Sequence, residues 1–180
     1  NVHIRDHVDH DAWRRALLRE LDHFAALAPG RTLTSVFFGG GTPSLMRPET
    51  VDAILSRACD HWRRDSTLEV SLEANPENFD TFAPFATAGV TRLSLGVQAL
   101  DDGALAFLGR HHDARCAIGA TEEAQRRFRD VSFDLIYARP RQTLDEWEEE
   151  LRRASRLGTT HLSLYQLTIE PRTSFYAAAR

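Results

Sequence analysis

Three observations predict an α/β protein built on about five parallel strands with helices outside them. Helix-period segments alternate with short apolar runs along the whole chain. The runs are mostly apolar, as strands buried in a parallel sheet are. No internal repeat, linker or low-complexity tract interrupts the alternation.

The first helix is expected over residues 9–28, with Trp13, Leu17, Leu21, Phe24 and Ala28 on one face and Pro29-Gly30 as its stop. A strand over 35–38 runs into Gly39-Gly40-Gly41-Thr42-Pro43. Pro48 opens the next helix, with Val51, Ile54, Leu55, Ala58 and Trp62 on one stripe. A strand over 68–73 leads to Ala74-Asn75-Pro76, and a helix follows between 78 and 88, stopped by Gly89. The third strand covers 92–98. A short helix from Asp101 reaches Gly109-Arg110, and Asp113 caps a helix to about residue 128. The fourth strand covers 131–137. Thr143 and Glu146 form a capping box for a helix bearing Leu144, Trp147, Leu151 and Ala154, closed by Gly158. The fifth strand covers 161–167, and a last helix begins near Pro171. A closed eight-stranded barrel, an open doubly wound sheet and a partial barrel all satisfy this order; periodicity does not choose among them.

The 180 residues suffice for one domain with a real core, and 42% hydrophobic with 27% charged content is ordinary for a globular chain. A net charge of −4 leaves no basic footprint and argues against nucleic acid. No apolar run is long enough to cross a bilayer and no signal-peptide pattern opens the chain, so the expectation is a cytoplasmic protein with at most peripheral membrane contact. Cys59 and Cys116 have neither disulfide nor metal-ligand spacing and read as buried or half-buried fillers. All 22 basic residues are arginine, which excludes lysine Schiff-base chemistry within this sequence.

In a parallel α/β architecture the ligand site lies at the carboxyl ends of the strands. Gly39 to Pro43, Glu73, Gln98 and Asp134 gather there, and Arg110 follows the third strand by one short helix. An adjacent glycine triplet lets a ligand approach bare backbone. Glu73 reads equally as a strand-end carboxylate exposed to solvent, since its facing is ambiguous. Asp134 lies inside an apolar strand, where an unpaired carboxylate is costly, and so calls for a partner or a ligand. Arg110 after Gly109 suits an anion clamp. His111 and His112 read as a solvated turn; His3, His7 and His10 read as a polar terminus.

Together these segments resemble the oxygen-independent coproporphyrinogen oxidase family of radical S-adenosylmethionine (SAM) proteins. The segments that carry the likeness are 36–45 (VFFGGGTPSL), 72–76 (LEANP), 92–98 (RLSLGVQ), 108–112 (LGRHH), 134–137 (DLIY) and 161–167 (HLSLYQL). The resemblance implies a partial (β/α)6 TIM-like barrel of the radical SAM type, with residues 1–180 as its core, incomplete at the N-terminus and without a C-terminal domain. By that likeness Gly40, Gly41 and Thr42 meet the methionine end of SAM through their backbone. Glu73, Gln98, Arg110 and Asp134 contact its polar groups, and the backbone near Gln166 lines the site. The motifs look closer to the HemW-like heme-chaperone branch than to the coproporphyrinogen dehydrogenases. The implied partners are therefore heme or a porphyrinogen and a heme-acceptor protein. The family holds a 4Fe–4S cluster with C-x-x-x-C-x-x-C, and this sequence has no such motif, so no metal ligand is expected in it. It also departs from the family at Ala138 and Arg141, where glycines are usual. A phosphate-binding α/β enzyme using the Gly39 to Thr42 loop is the remaining alternative.

Overall fold

The computed structural model describes residues 8–171 and 175–176. The elements are α1 His10–Leu27, β1 Thr32–Phe38, α2 Pro48–His61, β2 Arg63–Ala74, α3 Phe82–Thr87, β3 Arg92–Gln98, α4 Asp102–Phe107, α5 Ala114–Arg127, β4 Asp130–Tyr137, α6 Leu144–Arg156 and β5 His161–Gln166. Short 3-10 turns stand at Pro43–Leu45 and Pro76–Thr81. The expected capping residues hold: Asp113 accepts from the Cys116 amide, and Thr143 and Glu146 close a reciprocal capping box. The helix expected from Pro171, and His3 and His7, fall on or among residues outside those described.

All five strands are parallel and adjacent in sequence order, β1-β2-β3-β4-β5. A doubly wound sheet reverses its order at a switch point; this one does not. Successive crossovers of the usual hand then put the helices on one face, and the sheet curls into a half-barrel with helices around it.

Strand alternation divides the sheet into two unlike faces. Val70 and Leu72 of β2, Leu93, Leu95 and Val97 of β3, and Val131, Phe133 and Leu135 of β4 are buried in one apolar cluster. Val51 and Leu55 of α2, Phe82 and Phe85 of α3, and Ala117, Ala120 and Ala124 of α5 complete it. Each large side chain buried this way is worth roughly 1.5–3 kcal/mol. The alternate positions, Glu69, Ser71, Glu73, Arg92, Ser94, Ser132, Asp134 and Ser163, line the opposite, concave face. The strands are thus amphipathic, not apolar on both faces.

Other expectations are corrected. Strand β2 begins at Arg63, not at 68; its pairing with β1 slips between Leu33 and Ser35, where the Asp65 carboxylate takes both the amide and the hydroxyl of Thr67. Helix α1 does not bury the face that carries Trp13 and Phe24, which are 60% and 54% exposed; its one buried residue is Ala25. It is tied to α2 by polar bonds instead: Asp22 accepts from Arg57 at 2.8 Å and faces His61 at 2.7 Å, and the Trp62 indole donates to the Ala28 carbonyl. Cys59 is exposed rather than a filler, whereas Cys116 is half-buried.

Candidate functional site at the concave face

The strand carboxyl ends carry the site. The chain leaves β1 through Gly40 and Gly41 at φ +87° and +60°, a region that side chains rarely adopt, and a Cβ at either would meet nothing within 4 Å. The turn brings the Gly40 amide over β2, where it donates to Glu73 Oε2 at 2.9 Å. Glu73 therefore faces the concavity, half-buried, and is not a free surface carboxylate. Thr42 precedes the 3-10 turn and makes no side-chain cap.

Asp134, on β4, lines the same cavity of about 240 Å³ with Glu73, Ser94, Ser132 and Ser163. Burial holds its carboxyl above the usual range of 3.8; the Ser163 hydrogen bond opposes this, the Glu73 charge adds to it and the Arg110 charge offsets part. Arg110 is half-buried after α4, its pKa lowered by desolvation and supported by the charges of Glu77 and Asp134. Two carboxylates and one guanidinium thus share a partly desolvated region at one end of the sheet.

Gln98 ends β3 at φ +71°, with the Ala99 amide donating to the Val97 carbonyl across it, a strained turn for a residue with a side chain. Its Nε2 and the Asn75 side chain both lie over Gly96. Gln166 pairs with Tyr137 at the end of β5. Strand alternation points its side chain away from the face of Ser163 and Tyr165, leaving only its backbone near the strand ends.

Two buried polar residues went unread in the sequence. His112 is not in a solvated turn: it is 6% exposed, with Nε2 3.0 Å from the Val97 carbonyl and Nδ1 3.4 Å from Glu77. Glu150, 5% exposed, accepts from the Leu100 amide and from Arg139. Its signal was position, three residues after Trp147 and four before Ala154 on the apolar stripe of α6.

A sequence-ordered parallel half-barrel with a polar concave site at its strand ends is the architecture of a barrel-type, small-ligand-binding α/β protein. Residues 7–154 match the radical SAM superfamily model, and the chain belongs to that family. It is similar to the mitochondrial radical S-adenosyl methionine domain-containing protein 1 of Bos taurus, 43% identical over 98% of this chain and 40% of the relative. It is also similar to the heme chaperone HemW of Escherichia coli, 38% identical over 96% of this chain and 46% of that protein. Among solved structures, coproporphyrinogen III oxidase of E. coli, described as a radical SAM enzyme, superposes with a TM-score of 0.82 at 25% identity, covering 95% of this chain and 40% of that one. The chain spans less than half the length of each of these proteins.

Family membership implies SAM and a 4Fe–4S cluster. The concave face fits the first: open glycine backbone, carboxylates and a guanidinium suit a zwitterion bearing hydroxyls. It does not fit the second. Among the described residues no group of three or more His, Cys, Asp or Glu is placed to hold a metal, and Cys59 and Cys116 sit on different helices. Nor is any described helix long and apolar enough to cross a membrane.

Proposed function

We propose that this chain is the SAM-binding barrel of a HemW-like protein, which takes up heme and passes it to an acceptor protein. The observation that carries the SAM part is Glu73, tethered by the Gly40 amide, beside Asp134 in one cavity, with Arg110 near enough for its charge to act on Asp134. Glu73 and Asp134 supply acceptors for the ammonium and ribose hydroxyls of the ligand. Arg110 meets its carboxylate, and Gln98 offers an amide from the neighbouring strand. The open backbone at Gly40 and Gly41 lets the methionine end lie against the β1 loop. When bound, SAM would supply a sulfonium whose carbon–sulfur bond breaks on one-electron reduction, the electron coming from the cluster that the family implies and not from these residues, which would bind and orient it.

The heme part rests on likeness to the E. coli heme chaperone across 96% of the chain. A second reading, oxidation of a porphyrinogen, is favoured by the 0.82 superposition on coproporphyrinogen III oxidase. A cytoplasmic location belongs to the same proposal, and the mitochondrial relatives make it a matter for cell fractionation.

The test uses the anaerobically prepared full-length gene product. Iron and sulfide are assayed, SAM and heme are titrated, and porphyrin products are analysed after incubation with coproporphyrinogen III. Heme binding without porphyrin formation supports the chaperone reading. Product formation moves the protein to the oxidase side, and failure to bind SAM sinks the site.

A further inference from the structure

Resting on the SAM reading, we propose that Glu150 is the positioning residue for Gln98, acting from outside the concave face. Four donors converge on its two carboxylate oxygens. Oε1 accepts from the Leu100 amide at 2.8 Å and from Arg139 Nη1 at 3.3 Å; Oε2 accepts from Arg139 Nη2 at 2.6 Å and from Gln142 Nε2 at 3.4 Å. The bond to Leu100 spans 50 residues and joins α6 to the loop leaving β3. The bonds to Arg139 and Gln142 join α6 to the loop leaving β4.

Both loops bear strain. Gln98, two residues before Leu100, stands at φ +71°, and Ala138 and Arg141, flanking Arg139, stand at +57° and +64°. Such conformations persist only where the surroundings over-determine them. Gln98 is buried and pairs with Leu135 of β4, and hydrogen bonds fix the peptide groups on either side of it. The Val97 carbonyl accepts from the Ala99 amide and faces His112 Nε2, and the Leu100 amide is held by Glu150. Gln98 thus sits between two fixed peptide groups, with its amide over Gly96 beside Asn75. Glu150 does not line the concave cavity; it lines a separate recess of about 720 Å³ between α4 and α6. Its influence on a ligand at the concave face is exerted through the β3 loop.

Chemistry makes the carboxylate hard to replace. A glutamine at 150 has one acceptor oxygen and one NH2 group, so one pair of donors always meets another donor.

The test is a double-mutant cycle on SAM affinity of the full-length protein: wild type, Gln98→Ala, Glu150→Gln and the double variant, each checked for folding by thermal denaturation. The expected result is an affinity loss of about tenfold for Glu150→Gln that shrinks to less than about twofold in the Gln98→Ala background. An equal loss in both backgrounds means a merely structural role and overturns the proposal. So does an unchanged affinity in Glu150→Gln, or in Gln98→Ala. A wild type that binds no SAM overturns the parent reading and this one together, which separates the two failures. Should Glu150→Gln not fold, Glu150→Asp takes its place in the same cycle; it keeps the charge and withdraws the oxygen from Leu100.

Discussion

Replacing Ala138 and Arg141 by glycine is expected to stabilise the protein. Both residues hold positive φ in the loop between β4 and α6, at +57° and +64°, where an L side chain crowds the following carbonyl. The crowding costs about 1–2 kcal/mol per residue. Glycine removes it, but it also has more freedom to lose on folding, about 0.5–1 kcal/mol. Both side chains are exposed, so little packing is given up. The net gain is about 0.5–1 kcal/mol per site, or roughly 1–4 °C in Tm for a domain of this size. The two positions share one turn, closed by the Gln142 amide on the Arg139 carbonyl, so their gains are not expected to add fully. Urea and thermal unfolding of both single variants and the double measure this. A calibrating variant is Gly119→Ala, inside α5 with open space at its Cβ, expected to gain roughly 1 kcal/mol from helix propensity. If Gly119→Ala stabilises while both loop variants destabilise, the strain argument is refuted, and the side chains at 138 and 141 contribute something their geometry does not explain.

Asp134→Asn should raise Tm at neutral pH and lose that advantage in acid. Burial raises the Asp134 pKa, so its contribution to stability is most favourable below the ordinary value of 3.8 and is lost as pH rises through the folded value. A Tm difference independent of pH would contradict this; the same variant should weaken SAM binding. Glu73→Ala removes the acceptor of the Gly40 amide, and since that amide is exposed its stability cost should stay below about 1 kcal/mol while SAM affinity falls about tenfold or more; unfolding data beside a SAM titration separate the two effects. Asp22 has its pKa lowered by hydrogen bonds from His61 and then Arg57, so the tie between α1 and α2 is present above 3.8 and weakens as pH falls through the lowered value. Asp22→Asn should therefore speed amide exchange in α1 at neutral pH and change little in strong acid. Trp62→Phe, which removes the donor to the Ala28 carbonyl, should cost about 1 kcal/mol in urea unfolding.

Period and punctuation in the sequence by themselves determined the order of elements, most of their ends, and the end of the sheet at which polar residues collect. Asp113 and Thr143 cap where they were expected to, because capping is settled within four residues of chain. Glu73, Asp134 and Arg110 were legible as candidates because each interrupts or directly follows an apolar strand or helix. Which strand face they occupy was not, since alternation gives two faces and no label for which one is concave. That was decided by the sequence-ordered sheet, which keeps its helices on one side and leaves Glu69, Arg92 and the serines lining the other. Helix α1 shows the same limit: its apolar stripe was readable, but only part of it is covered, with Trp13 and Phe24 exposed and polar ties to α2 beside the half-buried Leu17 and Leu21. The bonds that shape the site span 33 residues from Gly40 to Glu73 and 50 from Leu100 to Glu150. Contacts at such separations exist only once neighbouring strands have paired, because pairing sets the end of β1 beside β2 and the β3 loop beside the helix that follows β4.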